Sequence, residues 1–357
     1  MMYDVIILWA WASGLFVWTQ LSGKLNVLIL EKNETTWNKL LLTWKWRCNF
    51  TNLNVDKSHY NWDSLDRLDK YFWEFWAQDM INYLHSNDIE TKEEDHWRMF
   101  LKTNKAKQLL DFFIQRNWEL NHQIKLWEAV ISIKRNNGWY LLSTAKETYS
   151  CKKLIIACWW KSFPQVGWTD FIFQFSEEFW ISYSNPIPAL SWIETKEDLS
   201  SLSWSSVEAN ITIKDKAWNI LYTKNGIILF THRWISGPVV FNATLFLAKY
   251  FQQLKKLCIK LNIKREDMTK RLYWYLKAPK NLKNYTMTLT PNDFKWWDTA
   301  KVMSWWILME EINDNFELKK ASDIYVIWEA LNITWETWWF NLQRCWTSAY
   351  HCAKSIN

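Results

Sequence analysis

The chain has 357 residues, 49% of them hydrophobic and 22% charged, with a formal net charge of +6. That length serves two or three compact domains at about 150 residues each, and the balance excludes a disordered chain. The six cysteines form no C-x-x-C and no Cys/His zinc spacing, which excludes a disulfide framework and a zinc centre and points to a reducing, cytoplasmic location. One feature is anomalous: 31 Trp stand beside 6 Gly, where a usual Gly fraction of about 7% would give roughly 25. Tryptophan also falls where turns call for glycine, as in Lys216-Ala217-Trp218-Asn219 between two β-like runs. This pattern arises if UGA codons decoded as glycine are translated as tryptophan; the alternative is a chain that truly carries these indoles.

In chain order, Tyr3–Leu8 is a β-branched run suited to a buried parallel strand, followed by a turn, a helix from about Gly14 to Leu21 and a second strand at Asn26–Leu30. The apolar run Val5–Trp18 lacks a basic flank and is too short to span a bilayer, so neither a leader nor a membrane anchor is expected. Helical patterns recur at about 64–86 and 105–117, and β-like segments at about 124–134, 139–143 and 153–157. Beyond Pro186 short strands take over at Val207–Ile213, Ile220–Thr223 and Gly226–Phe230. A helical pattern runs from about Thr244 to Leu276, and the end of the chain returns to a strand at Tyr325–Ile327 and a helix from about Asn341 to Lys354.

The expected fold is therefore α/β, a Rossmann-like nucleotide domain interrupted by an inserted β-rich domain and a small helical module. Its boundaries are 1–185 for the first part of the nucleotide domain, 186–243 for the β-rich insert, 244–285 for the helical module, 286–303 for the return through the β-rich domain and 304–357 for the C-terminal part. The 244–285 module holds 11 Lys/Arg against 2 Asp/Glu, a net +9. Such a segment reads as a solvated helix face or as a docking surface for an anionic partner such as RNA.

The chemistry-bearing motif is Asp4-Val-Ile-Ile-Leu-Trp9-Ala10-Trp11-Ala12-Ser13-Gly14, which has the spacing of G-x-G-x-x-G with only its last glycine written as such. In that motif the first glycine makes the tight turn, the second lets backbone approach a diphosphate and the third lets helix pack on strand, while the helix N-terminus offers free N–H groups. Glu31 follows 22 residues after Trp9, where a carboxylate accepts ribose hydroxyls. Read literally, the indoles at 9 and 11 fill the space a diphosphate needs.

Further motifs follow with glycine restored at tryptophan: T-G-K-G-R-C-N-F-T-N from Thr43 to Asn52, A-C-G-G-K-S-F-P from Ala157 to Pro164, F-T-H-R-G-I-S-G-P from Phe230 to Pro238, S-G-G-I from Ser304 to Ile307 and G-E-T-G-G-F-N-L-Q from Trp335 to Gln343. Taken in this order over essentially the whole chain, they resemble the bacterial flavoproteins of the aminoacetone-oxidase-like or NAD(P)/FAD-dependent oxidoreductase kind, and more remotely the glutathione-reductase type. The resemblance implies an FAD domain split by a β-barrel insertion, with flavin contacts at Trp9, Ala10, Trp11, Ala12, Ser13, Gly14, Glu31, Lys32, Thr43, Lys45, Arg47, Cys48, Asn49, Val130 for the adenine, Ala157 and Trp159. Around the isoalloxazine it implies Trp328, Glu329, Trp338, Trp339, Asn341 and Leu342. It also implies an FAD-dependent oxidoreductase that passes hydride through flavin N5 to or from an unidentified small-molecule substrate.

Arg47 and Lys45 are read as holding phosphate or flavin charge, Cys48 as packing near the cofactor, and His96 and His232 as candidate proton donors. Trp346 and Trp274 are read as true tryptophans. No second G-x-G-x-x-G follows a later strand, which argues against a dedicated NAD(P)H domain and leaves NADH or NADPH as an electron donor to be tested. The alternatives are reduction of a base in RNA, drawn from the basic module, and a non-catalytic flavin-binding protein, or an apo protein if the indoles are real. No metal is expected, and the oligomeric state is not legible.

Overall fold

The computed structural model describes residues 2–36, 46–56, 60–61, 65–158, 171–184, 187–277, 279, 281–294, 302–304, 307–327, 330–335 and 338–357. The chain divides into two compact units: residues 1–185, 305–334 and 338–357 form the first, and 186–304 with 335–337 the second.

The first unit opens with β1 (Met2–Leu8), α1 (Ala12–Gln20) and β2 (Val27–Leu30). Strand β1 pairs in parallel with β2, Val5 opposite Val27 through Leu8 opposite Leu30. Both strands are apolar without alternation, as befits a parallel strand covered on both faces, and Val5 to Leu8 are fully buried. Helix α1 is likewise apolar all round and buried from Ala12 to Thr19, so its stability comes from packing.

Next come β3 (Asn49–Asn52), the two-residue β4 (Tyr60–Asn61), α2 (Leu65–Glu74), α3 (Ala77–His85), the hairpin β5 (Thr91–Glu94) and β6 (Arg98–Leu101), and α4 (Ala106–Glu119). Then follow β7 (Gln123–Lys125) and the meander β8 (Val130–Asn136), β9 (Trp139–Thr144) and β10 (Thr148–Ile156), with α5 (Phe171–Glu178) closing the segment. The sheet runs β7-β2-β1-β10-β9-β8. The first half of β10 pairs antiparallel with β9, and on its other edge β10 runs parallel to β1 from Ser150 to Ile156.

The second unit holds β11 (Ile187–Ala189), β12 (Ile193–Thr195), β13 (Ser206–Lys214), β14 (Ile220–Phe230), β15 (Trp234–Ser236), α6 (Pro238–Leu247), β16 (Cys258–Lys264), α7 (Lys270–Tyr275), β17 (Asn284–Leu289), β18 (Pro291–Phe294) and β19 (Val302–Ser304). Seven of these strands form an antiparallel sheet in the order β17-β16-β13-β14-β15-β12-β18. Its inner face alternates cleanly, with Ile211, Ile213, Ile259, Leu261, Ile263 and Leu289 fully buried under α6 residues such as Val240 and Ala243. Gly237 caps α6 with φ +108°; a Cβ there would lie 2.3 Å from the Ile227 carbonyl oxygen, so only glycine fits.

The stretch 244–276 is not helical throughout, contrary to the pattern expected of it. Cys258–Lys264 is a strand between β13 and β17, because Ile259, Leu261 and Ile263 alternate with Lys260 and Asn262 at period two. The chain then returns to the first unit with β20 (Ile324–Val326), parallel to the second half of β10, and the long helix α8 (Trp338–Ile356). Among the described residues no helix is long and apolar enough to cross a membrane.

Candidate dinucleotide site

Strand β1 delivers the chain into the turn at Trp9, whose N–H donates to the Leu30 carbonyl at 2.9 Å and so ties the turn to the end of β2. Trp9 has φ +75°, the left-handed backbone that the first glycine of the motif supplies freely. Trp11 is the N-cap of α1 in extended backbone, and its side chain makes no cap bond. Gly14 lies where the third glycine is expected, and the reason is visible: a Cβ on it would sit 2.1 Å from the Trp9 carbonyl oxygen and 3.4 Å from the Ala157 Cβ. Ala157 continues from β10 and donates its N–H to the Leu8 carbonyl at 3.2 Å, so strand ends and helix start converge on one point.

Glu31 is buried just past β2. Its Oε2 accepts the Ala10 N–H at 2.8 Å, and its Oε1 accepts the Asn33 N–H at 2.9 Å and the Asn33 Nδ2 at 2.7 Å. Burial pushes its carboxyl up, against the pull of those donors and of Lys32. Burial holds the neighbouring Lys32 ammonium down to about 8, with Glu31 and Cys158 opposing, and burial pushes the Cys158 thiol up to about 12. Two backbone bonds, Glu128 N–H to Glu31 O at 2.9 Å and Trp127 N–H to Asn33 O at 3.1 Å, tie the segment just before β8, which begins at Val130, to the backbone that follows β2. Asn33 was not anticipated from the sequence; the signal was an amide side chain two residues after an acid, a local side-chain-to-backbone pattern.

A dinucleotide fits the strand-turn-helix crossing, the buried carboxylate and the close approach at Gly14. The buried Ser13 Oγ, in the first turn of α1, has no hydrogen-bond partner among the described residues, as a group meant for a ligand would. The indoles do not fit it. Trp9 and Trp11 are only 3% and 2% exposed, and the Trp9 ring packs edge-on against Phe171 with centroids 5.1 Å apart. Bulk therefore lies in the turn where the motif requires bare backbone.

The second group of expected contacts is held by α8. Asn49 begins β3 and is buried; with its side-chain amide turned over, the nitrogen donates to the Met99 and Thr51 carbonyls. Thr51 donates to Gln343 Oε1 at 2.6 Å, and Trp346 Nε1–H donates to the Phe50 carbonyl at 2.8 Å. Leu342 is buried on the same helix. Helix α8 packs on α1, where the Trp346 and Phe16 rings meet at 5.3 Å.

Cys48 is fully buried, and burial pushes its thiol up, which suits packing and not redox work. Arg47 is engaged inside the protein: its guanidinium pairs with Glu94, donates to Asn104 Oδ1 at 2.7 and 3.0 Å, and stacks over Phe100 at 4.4 Å. His96 is exposed in the β5–β6 loop, its backbone carbonyl accepting from Asn52 Nδ2 at 2.9 Å, and His232 is exposed in the second unit. Thr43, Lys45, Trp159, Trp328 and Glu329 lie outside the described residues, as do the side chains of Trp338, Trp339 and Asn341, whose backbone opens α8. None of the six cysteines is joined in a disulfide. Among the described residues no group of three His, Cys, Asp or Glu side chains could hold a metal ion.

Two curated relatives match over nearly their full length. The ribosomal RNA dihydrouridine synthase of Haemophilus influenzae is 27% identical, covering 99% of this chain and 98% of its own. The Escherichia coli protein of the same name is 24% identical with the same coverage. Among solved structures, the 3-ketosteroid-delta4-(5alpha)-dehydrogenase of Rhodococcus jostii RHA1 superposes with a TM-score of 0.57 at 7% identity, over 99% of this chain and 96% of that one, a likeness of fold. The family described as the HI0933-like protein Rossmann domain matches residues 3–355, and the chain belongs to it.

Proposed function

We propose that the protein is an FAD-dependent oxidoreductase acting on a pyrimidine base of ribosomal RNA. The observation that carries the substrate class is the match, over 99% of this chain, to two proteins named ribosomal RNA dihydrouridine synthase. The cofactor reading rests on family membership together with the Trp9–Gly14 crossing and Glu31. In this reading the N-terminus of α1 faces the diphosphate, Glu31 takes the adenosine ribose, Val130 lies against the adenine and the start of α8 lies at the flavin ring. FAD supplies hydride chemistry, so the polypeptide's task is to bind, orient and exclude water. That assignment requires glycine at 9 and 11. The Lys/Arg-rich stretch 244–285 supports an RNA partner.

The test uses the chain with Trp9→Gly and Trp11→Gly, loaded with FAD. Incubation with NADH or NADPH and rRNA lacking the modification should convert uridine to dihydrouridine, read by nucleoside mass spectrometry. RNA affinity should fall as salt rises. A flavin-loaded protein that accepts electrons, binds RNA no better at low salt and leaves every uridine intact would overturn the substrate; one that takes up no FAD would overturn the cofactor.

A further inference from the structure

Among the described residues seven tryptophans, at 9, 46, 97, 127, 180, 204 and 218, have φ between +54° and +75°. Glycine adopts that backbone freely, Asn and Asp adopt it at times, and a bulky side chain there is an outlier. Three of them lie mostly in solvent, where burial does not offset the strain: Trp180 is 84% exposed, Trp204 81% and Trp218 59%.

The helix ends make the comparison internal. Helices α3, α4 and α5 all end in the same pair of bonds. They are Ile89 N–H to Leu84 O with Asp88 N–H to His85 O, His122 N–H to Asn117 O with Asn121 N–H to Trp118 O, and Ile181 N–H to Ser176 O with Trp180 N–H to Glu177 O. This is the Schellman motif, whose left-handed residue is glycine by preference and Asn next. The three left-handed residues are Asp88, Asn121 and Trp180, with φ 59°, 58° and 54°. The β13–β14 hairpin repeats the argument. Trp218 N–H bonds Asp215 O at 3.1 Å, Asp215 N–H bonds Asn219 O at 3.1 Å, and the register slips between Ile213 and Lys214, which is a turn closed by a bulge whose left-handed residue is glycine.

Trp346 behaves in the opposite way. It is fully buried in helical backbone, its ring lies 5.3 Å from Phe16 and 5.9 Å from Phe113, and its N–H is bonded. A uniform exchange of one letter for another would not leave it so well served.

We infer that the native protein carries glycine at 9, at 11 and at the other left-handed tryptophan positions, and tryptophan at 346, so that one codon is decoded as glycine while another encodes tryptophan. Trp11 belongs to the first set on the second-glycine argument, its own backbone being extended.

The gene and the native protein test this together. Positions 9, 11, 180 and 218 should share one codon, different from that at 346, and peptide masses of the protein purified from its source should show glycine at the first four and tryptophan at 346. Tryptophan masses at 180 and 218, or a shared codon across all five, would overturn the inference. A recombinant chain separates the two roles. Glycine at 9 and 11 should confer flavin absorbance after FAD is added, whereas glycine at 180, 204 and 218 should raise Tm without it. Stoichiometric FAD uptake by the chain bearing both indoles would overturn the assignment at the turn. Native glycine masses combined with failed FAD uptake would leave this inference standing and sink the cofactor reading instead.

Discussion

Gly14→Ala isolates the helix-to-strand contact on which the nucleotide crossing depends. The added Cβ would lie 2.1 Å from the carbonyl oxygen of residue 9, more than 1 Å inside an ordinary C···O approach of about 3.3 Å. No rotamer moves a Cβ, and the obstacle is backbone, so the start of α1 would have to shift by about 1 Å. It has nowhere to go, since α1 is buried against α4 and α8. Overpacking of this kind costs about 3 kcal/mol, at or beyond the upper end of the usual range. Alanine's better helix propensity returns about 1 kcal/mol, so the clash wins by roughly 2 kcal/mol. At about 2–4 °C per kcal/mol, Tm should fall by roughly 4–8 °C. Urea denaturation followed by far-UV circular dichroism reads the change. Gly138→Ala is the control: φ is +90° but nothing lies within 4 Å of its Cβ, so only backbone strain of about 1 kcal/mol applies. If Gly14→Ala unfolds at the parent midpoint, or loses less than Gly138→Ala, the packing argument is wrong. The result does not depend on which side chain occupies position 9, because the clashing atom is a carbonyl oxygen.

Trp180→Gly should stabilise the protein by about 1 kcal/mol by relieving left-handed strain at the end of α5, seen as a higher urea midpoint; an unchanged or lower midpoint would refute this. Trp346→Phe removes the N–H that serves the Phe50 carbonyl and should cost about 2–4 kcal/mol, one part for the orphaned acceptor and one for the lost volume. Lys32 gives a pH signature: its folded value is about 8 against an ordinary 10.5, so between those values the unfolded chain holds more protons and stability rises with pH. The slope is at most about 1.4 kcal/mol per pH unit. Lys32→Met should remove that rise, and equal pH dependence in the two proteins would show that the ammonium is not held down by burial. Glu31→Gln turns an amide nitrogen toward either Ala10 N–H or the Asn33 donors, which should cost about 1–3 kcal/mol at pH 7 by chemical denaturation.

The parallel strands and α1 were legible because their patterns are long and of one kind: an apolar run without alternation, then a helix, then a second run. Cys258–Lys264 was misread because it is a seven-residue alternation set between helical turns, where lysines at mixed spacing mask period two. The donor-rich loop was legible as chemistry but not as geometry. Arg47 has the side chain one would choose for a phosphate, yet Glu94, Phe100 and Asn104, some 50 residues on, take up its charge, its face and its donors. Nothing local in the sequence announces a partner at that distance. The tryptophans are the reverse case at positions 9 and 218, where the residue pattern alone points to a turn and the backbone is left-handed, with φ +75° and +67°.

The two halves of the expected site meet on one helix. Gly14 sets how closely α1 approaches the turn that follows β1, and two residues on, Phe16 receives Trp346 of α8. Trp346 in turn holds Phe50 of β3, and Gln343, one turn earlier, accepts from Thr51. The segment that carries Arg47, Cys48 and Asn49 is thus positioned by the C-terminal helix, and that helix by the N-terminal motif. A loosened α8 would therefore disturb a loop almost 300 residues away in sequence before it disturbed the sheet, whose hydrogen bonds run through β1, β2, β10 and β20 without it. Trp346→Phe should accordingly weaken a flavin site more than Lys32→Met does, although Lys32 directly follows Glu31 and Trp346 acts through Phe16 and the Phe50 carbonyl.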